Sequence, residues 1–213
     1  MAGEHDHTAT PGAPNAEARI ALSPEEQTRA DFYAFLSGLL AHPPSEERLD
    51  QLAQLEPTDT EIGRAIAGLG RIAGRLTAKT VRHEFHDLFI GLGRGELMPY
   101  GSYYMTGFLN EKPLAILRQD MARLRVERTP TVFEPEDNIA TLCEVMAGLI
   151  DGRFGTVQPL SEQKTFFNRH IAPWAPHFFA DLEKAKNSVL YAPVGMLGRT
   201  FMEIEREAFR MEG

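Results

Sequence analysis

Apolar residues recur at helical spacing along most of this chain. They fall three and four positions apart from residue 24 onward, until His42-Pro43-Pro44 interrupts the first run. Later runs with the same spacing occupy residues 45–55, 60–74, 80–90, 113–126, 135–151, 161–171, 173–187 and 195–209. No stretch shows the sustained alternation of apolar and polar residues that predicts a strand. The pattern therefore predicts an all-α protein, folded as a single helical bundle over residues 21–213.

Residues typical of a helix N-terminus mark the beginning of this bundle. Ser23 is a suitable N-cap, Pro24 fits the first helical position, and Glu26 can complete a capping box. Residues 1–20, in contrast, are rich in Ala, Pro, Gly and Thr and almost lack large apolar side chains. Such a segment cannot offset the entropy lost on ordering, so we predict a disordered N-terminal tail.

One stretch inside the bundle shows neither the helical spacing of apolar residues nor the alternation that is typical of a strand. Gly91, Gly93 and Gly95 break any helix, and the aromatic run Pro99-Tyr100-Gly101-Ser102-Tyr103-Tyr104 comes after them. We predict a long glycine/aromatic loop here, with residues 91–107 as a candidate hinge. Its rings either form a peptide-binding surface, which rigid amphipathic side chains suit, or tuck under the loop to anchor it.

The composition of the chain argues against several classes of protein. The net charge of −8 argues against a nucleic-acid protein, which needs a surplus of Lys and Arg, and fits a basic partner. A single cysteine excludes an internal disulfide framework. No apolar run approaches the roughly 20 residues that cross a bilayer, and the N-terminus lacks a signal-peptide pattern. We therefore expect a cytoplasmic protein without stable membrane association.

The familiar catalytic and cofactor signatures are missing from the sequence. Cys143 lies on an apolar helical stripe, where it is predicted to be a buried small hydrophobe. His83 and His86 are three residues apart, a spacing that does not match the zinc-protease motif, and are predicted to be surface residues. The glycines at 91–95 have the wrong spacing for a phosphate loop. We expect no enzymatic activity, no metal and no cofactor.

The segment Glu134-Pro135-Glu136-Asp137-Asn138-Ile139 has two interpretations. Pro135 fits a first helical position, which would place Glu136 and Asp137 in a first turn, where the helix dipole stabilises anions. Alternatively, one carboxylate faces a groove and accepts a charge-assisted hydrogen bond from a guanidinium group. Different residues of the segment can serve each role.

Taken together, several segments resemble the TorD/DmsD/NarJ family of redox-enzyme maturation chaperones. The resemblance is carried in order by EFHDLFIG at residues 84–91, PYGSYY at 99–104, PLAILR at 113–118 and EPEDNI at 134–139, and more weakly by residues 167–174 and 178–182. It implies a TorD-like helical fold and a chaperone that binds the twin-arginine signal peptide of a molybdopterin oxidoreductase precursor until its cofactor is loaded. The run from Tyr103 to Leu114 resembles members associated with formate dehydrogenases.

A receptor for such a leader needs carboxylates beside an aromatic and aliphatic trough. We expect Glu134 and Asp137 to contact the arginines, and Phe89, Tyr100 and Tyr104 to line the apolar part. Pro99 and Ser102 are expected to shape the loop. Asn138 departs from the family, which commonly has histidine there; an amide keeps hydrogen bonding but cannot titrate.

Other functions remain open at this point. The resemblance also implies weak GTP binding in part of the family, so a guanine-nucleotide-binding module is one alternative. A structural assembly subunit of a redox enzyme complex is another. A hinge at residues 91–107 would allow either a monomer or a domain-swapped dimer.

Overall fold

The computed structural model describes residues 22–127 and 134–211, and the predicted tail at residues 1–20 lies outside them. These ranges contain helices and no strand, so the all-α prediction is confirmed. The α-helices are α1 Pro24–Ala41, α2 Glu46–Ala53, α3 Glu61–Ala73, α4 Ala78–Phe85, α5 Gly101–Thr106, α6 Lys112–Arg123, α7 Ile139–Asp151, α8 Leu160–Phe166, α9 Ala175–Lys184 and α10 Tyr191–Met211. Single π-helical turns, His86–Ile90 and Phe167–Ile171, extend α4 and α8. None of the described helices is both long and apolar enough to span a membrane.

The first helix begins as its sequence predicts. Ser23 Oγ accepts a hydrogen bond from the N–H of Glu26, and Glu26 Oε2 accepts one from the N–H of Ser23 at 2.9 Å. This capping box satisfies N–H groups that have no partner within the helix. The helix ends before His42, where the chain turns extended.

Helix α7 is the centre of the core. It packs along α1, while α10 packs on α9 and α3. Cys143 lies in α7 with no exposed surface, and burial raises the pKa of its thiol above the usual range. The prediction of a buried small hydrophobe at this position is therefore confirmed.

Glu84 ties the two halves of the chain together. The residue is 7% exposed, and its carboxylate accepts hydrogen bonds from the backbone N–H groups of Val189, Leu190 and Tyr191, at 2.7, 3.1 and 2.9 Å. A carboxylate from α4 thus caps the N-terminus of α10. No local signal in the sequence indicates this contact.

Two predicted boundaries are wrong. The glycine/aromatic loop ends at Tyr100, because Gly101–Thr106 forms the short helix α5. Helix α7 begins at Ile139 rather than at Pro135, because Asn138 is its N-cap and accepts a hydrogen bond from the N–H of Ala140 at 2.9 Å. Glu136 and Asp137 therefore precede the helix and do not occupy its first turn.

The glycine-rich segment at residues 91–95 packs back on the preceding π turn. The N–H groups of Gly91, Glu96 and Leu97 donate to the carbonyl oxygens of His86, Asp87 and Leu88, at 2.8, 3.0 and 2.8 Å. These hydrogen bonds hold both ends of the segment against the π turn, and weak GTP binding stays a prediction. The hinge remains a prediction.

Candidate functional site

A cavity of about 340 Å³ opens beside helices α5 and α6. Its volume lies near the lower end of the range for small-ligand sites, roughly 300–1,000 Å³. The lining residues are mostly apolar and come from four parts of the chain: Gly101, Met105, Thr106, Lys112, Pro113, Ile116, Leu117, Asp137, Leu142, Arg169, His170 and Trp174. Such a surface suits large apolar side chains and offers a few polar contacts.

Trp174 forms the wall between this cavity and the core. It is 1% exposed, and its Nε1–H donates to the carbonyl oxygen of His170 at 2.7 Å. The backbone of α5 approaches the indole so closely that a Cβ on Gly101 would lie 2.9 Å from Nε1. Only glycine permits this approach without moving the ring.

Asp137 is the acidic group of the cavity. It is 3% exposed; its Oδ2 accepts a hydrogen bond from the N–H of Ser102 at 2.7 Å, and its backbone oxygen accepts one from the N–H of Gly101 at 2.9 Å. Its Oδ1 is buried and has no hydrogen-bond partner among the described residues. Because an unpaired buried carboxylate oxygen is costly, Oδ1 is suited to accept a donor from a bound molecule.

Backbone contacts join the two segments on either side of this acid. The N–H of Ile139 donates to the carbonyl oxygen of Pro99 at 2.9 Å, and Tyr100 and Asn138 form an isolated antiparallel bridge. Tyr100 and Asp137 are therefore neighbours, and a cavity lies beside them. The structure brings together the aromatic and acidic segments, which are far apart in the sequence.

Asn138 serves the fold rather than the cavity. Its Oδ1 caps α7 through Ala140, and its Nδ2 donates to Glu134 Oε2 at 3.1 Å. Both ends of the amide are thus engaged, which gives a structural reason for asparagine here. Glu134 is exposed, and burial together with this carboxylate raises the pKa of Tyr100. Glu136 pairs with Arg118, with Oε2 2.8 Å from Nη2.

Tyr104 packs against Trp174, a residue of the cavity wall. Its ring centroid is 5.4 Å from that of Trp174 and 6.0 Å from that of Phe178, and its hydroxyl donates to Asp181 Oδ2 at 2.9 Å. The pKa of Tyr104 is raised mainly by burial and, to a smaller extent, by this hydrogen bond. The contacts of this half-buried ring agree with the interpretation that the aromatic run anchors the loop, and a peptide-binding role for Tyr104 stays a prediction.

The other predicted residues are not part of the cavity lining. Phe89 packs against Phe85 and Tyr191, with ring centroids 5.0 and 5.4 Å away. Pro99 and Ser102 are buried next to the site, and Ser102 Oγ has no partner among the described residues. Among the residues predicted for peptide binding, Asp137 is the one that lines the cavity.

The basic residues of the cavity wall, Arg169 and His170, were not predicted from the sequence. His170 is 7% exposed and its Nε2 lies 2.8 Å from Asp120 Oδ2, while Arg169 Nη1 lies 3.0 Å from the same oxygen. Burial lowers the pKa of His170, and the hydrogen bond to Asp120 only partly opposes this. His170 lies in the π turn that extends α8. The resemblance at residues 167–174 was the available signal.

Comparisons with known proteins agree with this architecture. The model of the family described as nitrate reductase delta subunit matches residues 55–180, more than half of the 213-residue chain. The chain belongs to this family. This match confirms the predicted resemblance to the TorD/DmsD/NarJ chaperones.

Several proteins similar in sequence to this chain are named as chaperones. The chaperone protein TorD of Aliivibrio fischeri is 27% identical over 208 residues, covering 86% of this chain and 95% of the relative. The chaperone protein TorD of Vibrio cholerae serotype O1 is 26% identical over 200 residues, covering 84% and 91%. These names support the prediction of a chaperone rather than an enzyme.

A solved structure shares the fold. It is described as that of a redox enzyme maturation protein from Archaeoglobus fulgidus, and it matches with a TM-score of 0.54 at 18% identity. The match covers 87% of this chain and 99% of the other. The predicted TorD-like helical bundle is thus confirmed.

Proposed function

We propose that this chain binds the signal peptide of a molybdopterin oxidoreductase precursor in the cavity beside α5 and α6, and so assists cofactor loading before export. One observation carries the proposal: in the wall of a mostly apolar cavity, the buried Asp137 has an Oδ1 that finds no hydrogen-bond partner within residues 22–127 and 134–211. A signal peptide supplies apolar side chains for such walls and polar donors for such an oxygen.

The apolar walls determine which part of the peptide enters. Pro113, Ile116, Leu117 and Trp174 surround a volume that suits one or two large apolar side chains rather than a folded domain. Burial of apolar surface supplies most of the binding free energy, and Asp137 fixes the position of the bound segment by accepting one hydrogen bond.

The client is proposed to be a formate dehydrogenase. The run from Tyr103 to Leu114, which resembles members associated with such enzymes, supplies Met105, Thr106, Lys112 and Pro113 to the cavity. Residues that distinguish clients are expected where they touch the bound peptide. A precursor that still carries its leader is met in the cytoplasm, so we place the chaperone there.

The test is a calorimetric titration of the chain with the signal peptide of a formate dehydrogenase precursor. Asp137→Asn preserves the shape of the side chain and removes its charge, and we expect affinity to fall about tenfold or more. Asp50→Asn, at an exposed acid of α2, is the matched control and should bind like the wild type. Equal affinities for both variants and the wild type would remove Asp137 from the site.

Co-purification separates this function from that of a structural subunit. A chaperone should capture the precursor and release the mature enzyme, whereas an assembly subunit should stay with the mature enzyme. Pull-downs against the precursor, the precursor lacking its leader and the mature enzyme distinguish the cases. Capture of the mature enzyme alone would contradict the proposed function.

A further inference from the structure

The cavity is poorly suited to arginine side chains. Lys112 and Arg169 lie on its wall, and Asp137 is the carboxylate that opposes them. Arg169 is neutralised in part by Asp120, which also binds His170, so little negative potential remains for an incoming guanidinium. The cationic end of a bound peptide therefore needs another place on the surface.

An aromatic strip leads away from the cavity wall. The ring of Tyr104 contacts Trp174 on one side and lies 6.1 Å from the ring of Tyr103 on the other. Asp181 accepts the hydroxyl hydrogen bond of Tyr104 and is exposed to solvent. Half-buried rings beside an exposed carboxylate are the chemistry that recognises guanidinium groups.

The chain itself supplies an example of the ligand. Arg94, in the glycine-rich turn, lies over Tyr103 with its Cζ 5.4 Å from the ring centroid, and its Nη2 donates to the Tyr103 hydroxyl at 2.9 Å. Arg94 is exposed, and its neighbour Gly93 has open space around it. A contact of this kind at an exposed site is weak, so a second guanidinium can compete for the ring.

If a cationic and apolar leader occupies the cavity as proposed above, we propose that its two adjacent arginines dock on this strip: one guanidinium displaces Arg94 from Tyr103, and the other pairs with Asp181. Neighbouring residues of an extended peptide are about 3.8 Å apart at Cα and carry long arginine side chains, so they can reach both groups. The apolar segment that follows then continues past Tyr104 into the cavity. This placement differs from the expectation from the sequence that Glu134 and Asp137 contact the arginines, and Asp137 then accepts other donors of the peptide.

The role of Arg94 gives an unusual test, because removing a side chain should improve binding. Two synthetic peptides share one apolar segment of about ten residues and differ only in beginning with Arg-Arg or Lys-Lys. We expect Arg94→Ala to tighten binding of the Arg-Arg peptide about two- to fivefold and to change that of the Lys-Lys peptide less. Arg71→Ala, which removes an exposed arginine from α3, controls for the change in net charge.

The second variant, Asp181→Asn, tests the carboxylate of the strip. The amide oxygen can still accept the Tyr104 hydroxyl, so the fold is preserved while the charge is lost. We expect the Arg-Arg peptide to bind more weakly and the preference over Lys-Lys to shrink. Equal binding of both peptides, unchanged by Arg94→Ala and Asp181→Asn, would overturn the arginine site and leave the cavity intact. Failure of the wild type to bind either peptide would instead contradict the proposed function.

Discussion

The side chain of Asp137 accepts a hydrogen bond of 2.7 Å from the backbone N–H of Ser102, which lies 35 residues earlier in the chain. This bond satisfies an N–H in the first turn of α5, where no helical partner exists. It also holds the carboxylate at the cavity, where Oδ1 has no hydrogen-bond partner in the part of the chain that the structure describes. One aspartate thus helps to form the short helix and equips the site beside it.

The close contact between α5 and Trp174 predicts a cost for any side chain at position 101. In Gly101→Ala the new methyl would lie 2.9 Å from Trp174 Nε1, so either the indole or α5 must shift. We expect the free energy of unfolding to fall by about 1–3 kcal/mol, together with weaker peptide binding. Urea denaturation and calorimetry measure the two effects.

Gly38→Ala is the matched control for this change. Gly38 is an exposed residue of α1, and a Cβ there would meet no atom within 4 Å. Alanine favours a helix over glycine, so this variant should keep or gain stability by up to about 1 kcal/mol. Equal stabilities for the two variants would show that α5 can adjust without moving Trp174.

Glu84 is predicted to be a main determinant of stability. Glu84→Ala leaves three N–H groups at the start of α10 without their acceptor, and we expect unfolding to become easier by about 2–4 kcal/mol. Glu84→Gln keeps one acceptor oxygen and should cost less. Chemical denaturation measures both variants, with the exposed Glu56→Ala as control. A loss no larger than that of Glu56→Ala would contradict the capping role.

His170 is expected to make stability depend on pH. Burial lowers the pKa of this histidine below its ordinary value of 6.5. Between the folded and unfolded pKa values the unfolded chain binds the proton more readily, so the free energy of unfolding falls as the pH drops through about 6.5. Near neutral pH the group is unprotonated in most molecules of either state, and this loss is small.

The variant His170→Gln keeps a donor toward Asp120 but does not titrate. We expect the stability of the wild type relative to this variant to decrease between about pH 7.5 and about pH 5.5, as measured by urea denaturation at each pH. The charged neighbours, Asp120 and Arg169, are the same in both proteins. A pH-independent difference between the two proteins would show that His170 does not carry this effect.

Local signals in the sequence determined most of the helices and much of the core. The capping box at Ser23 and the apolar stripe around Cys143 each depend on residues within a few positions of one another. The pattern of segments also determined the family. The residues of the capping box and of the apolar stripe are neighbours along the chain, so their physical effect can be read without knowing the fold. The family resemblance instead rests on segments spread over residues 84–139.

Contacts between distant segments decided the rest. Helix α5 has six residues, too few to be stable alone, and forms where Gly101 meets Trp174 and Ser102 meets Asp137. The cap on α10 by Glu84 and the pairing of His170 with Asp120 likewise join residues far apart in the chain. The sequence determined which chemical groups are available. Only tertiary packing decided which of them meet at the cavity, because burial and partnership depend on neighbours that local periodicity does not specify.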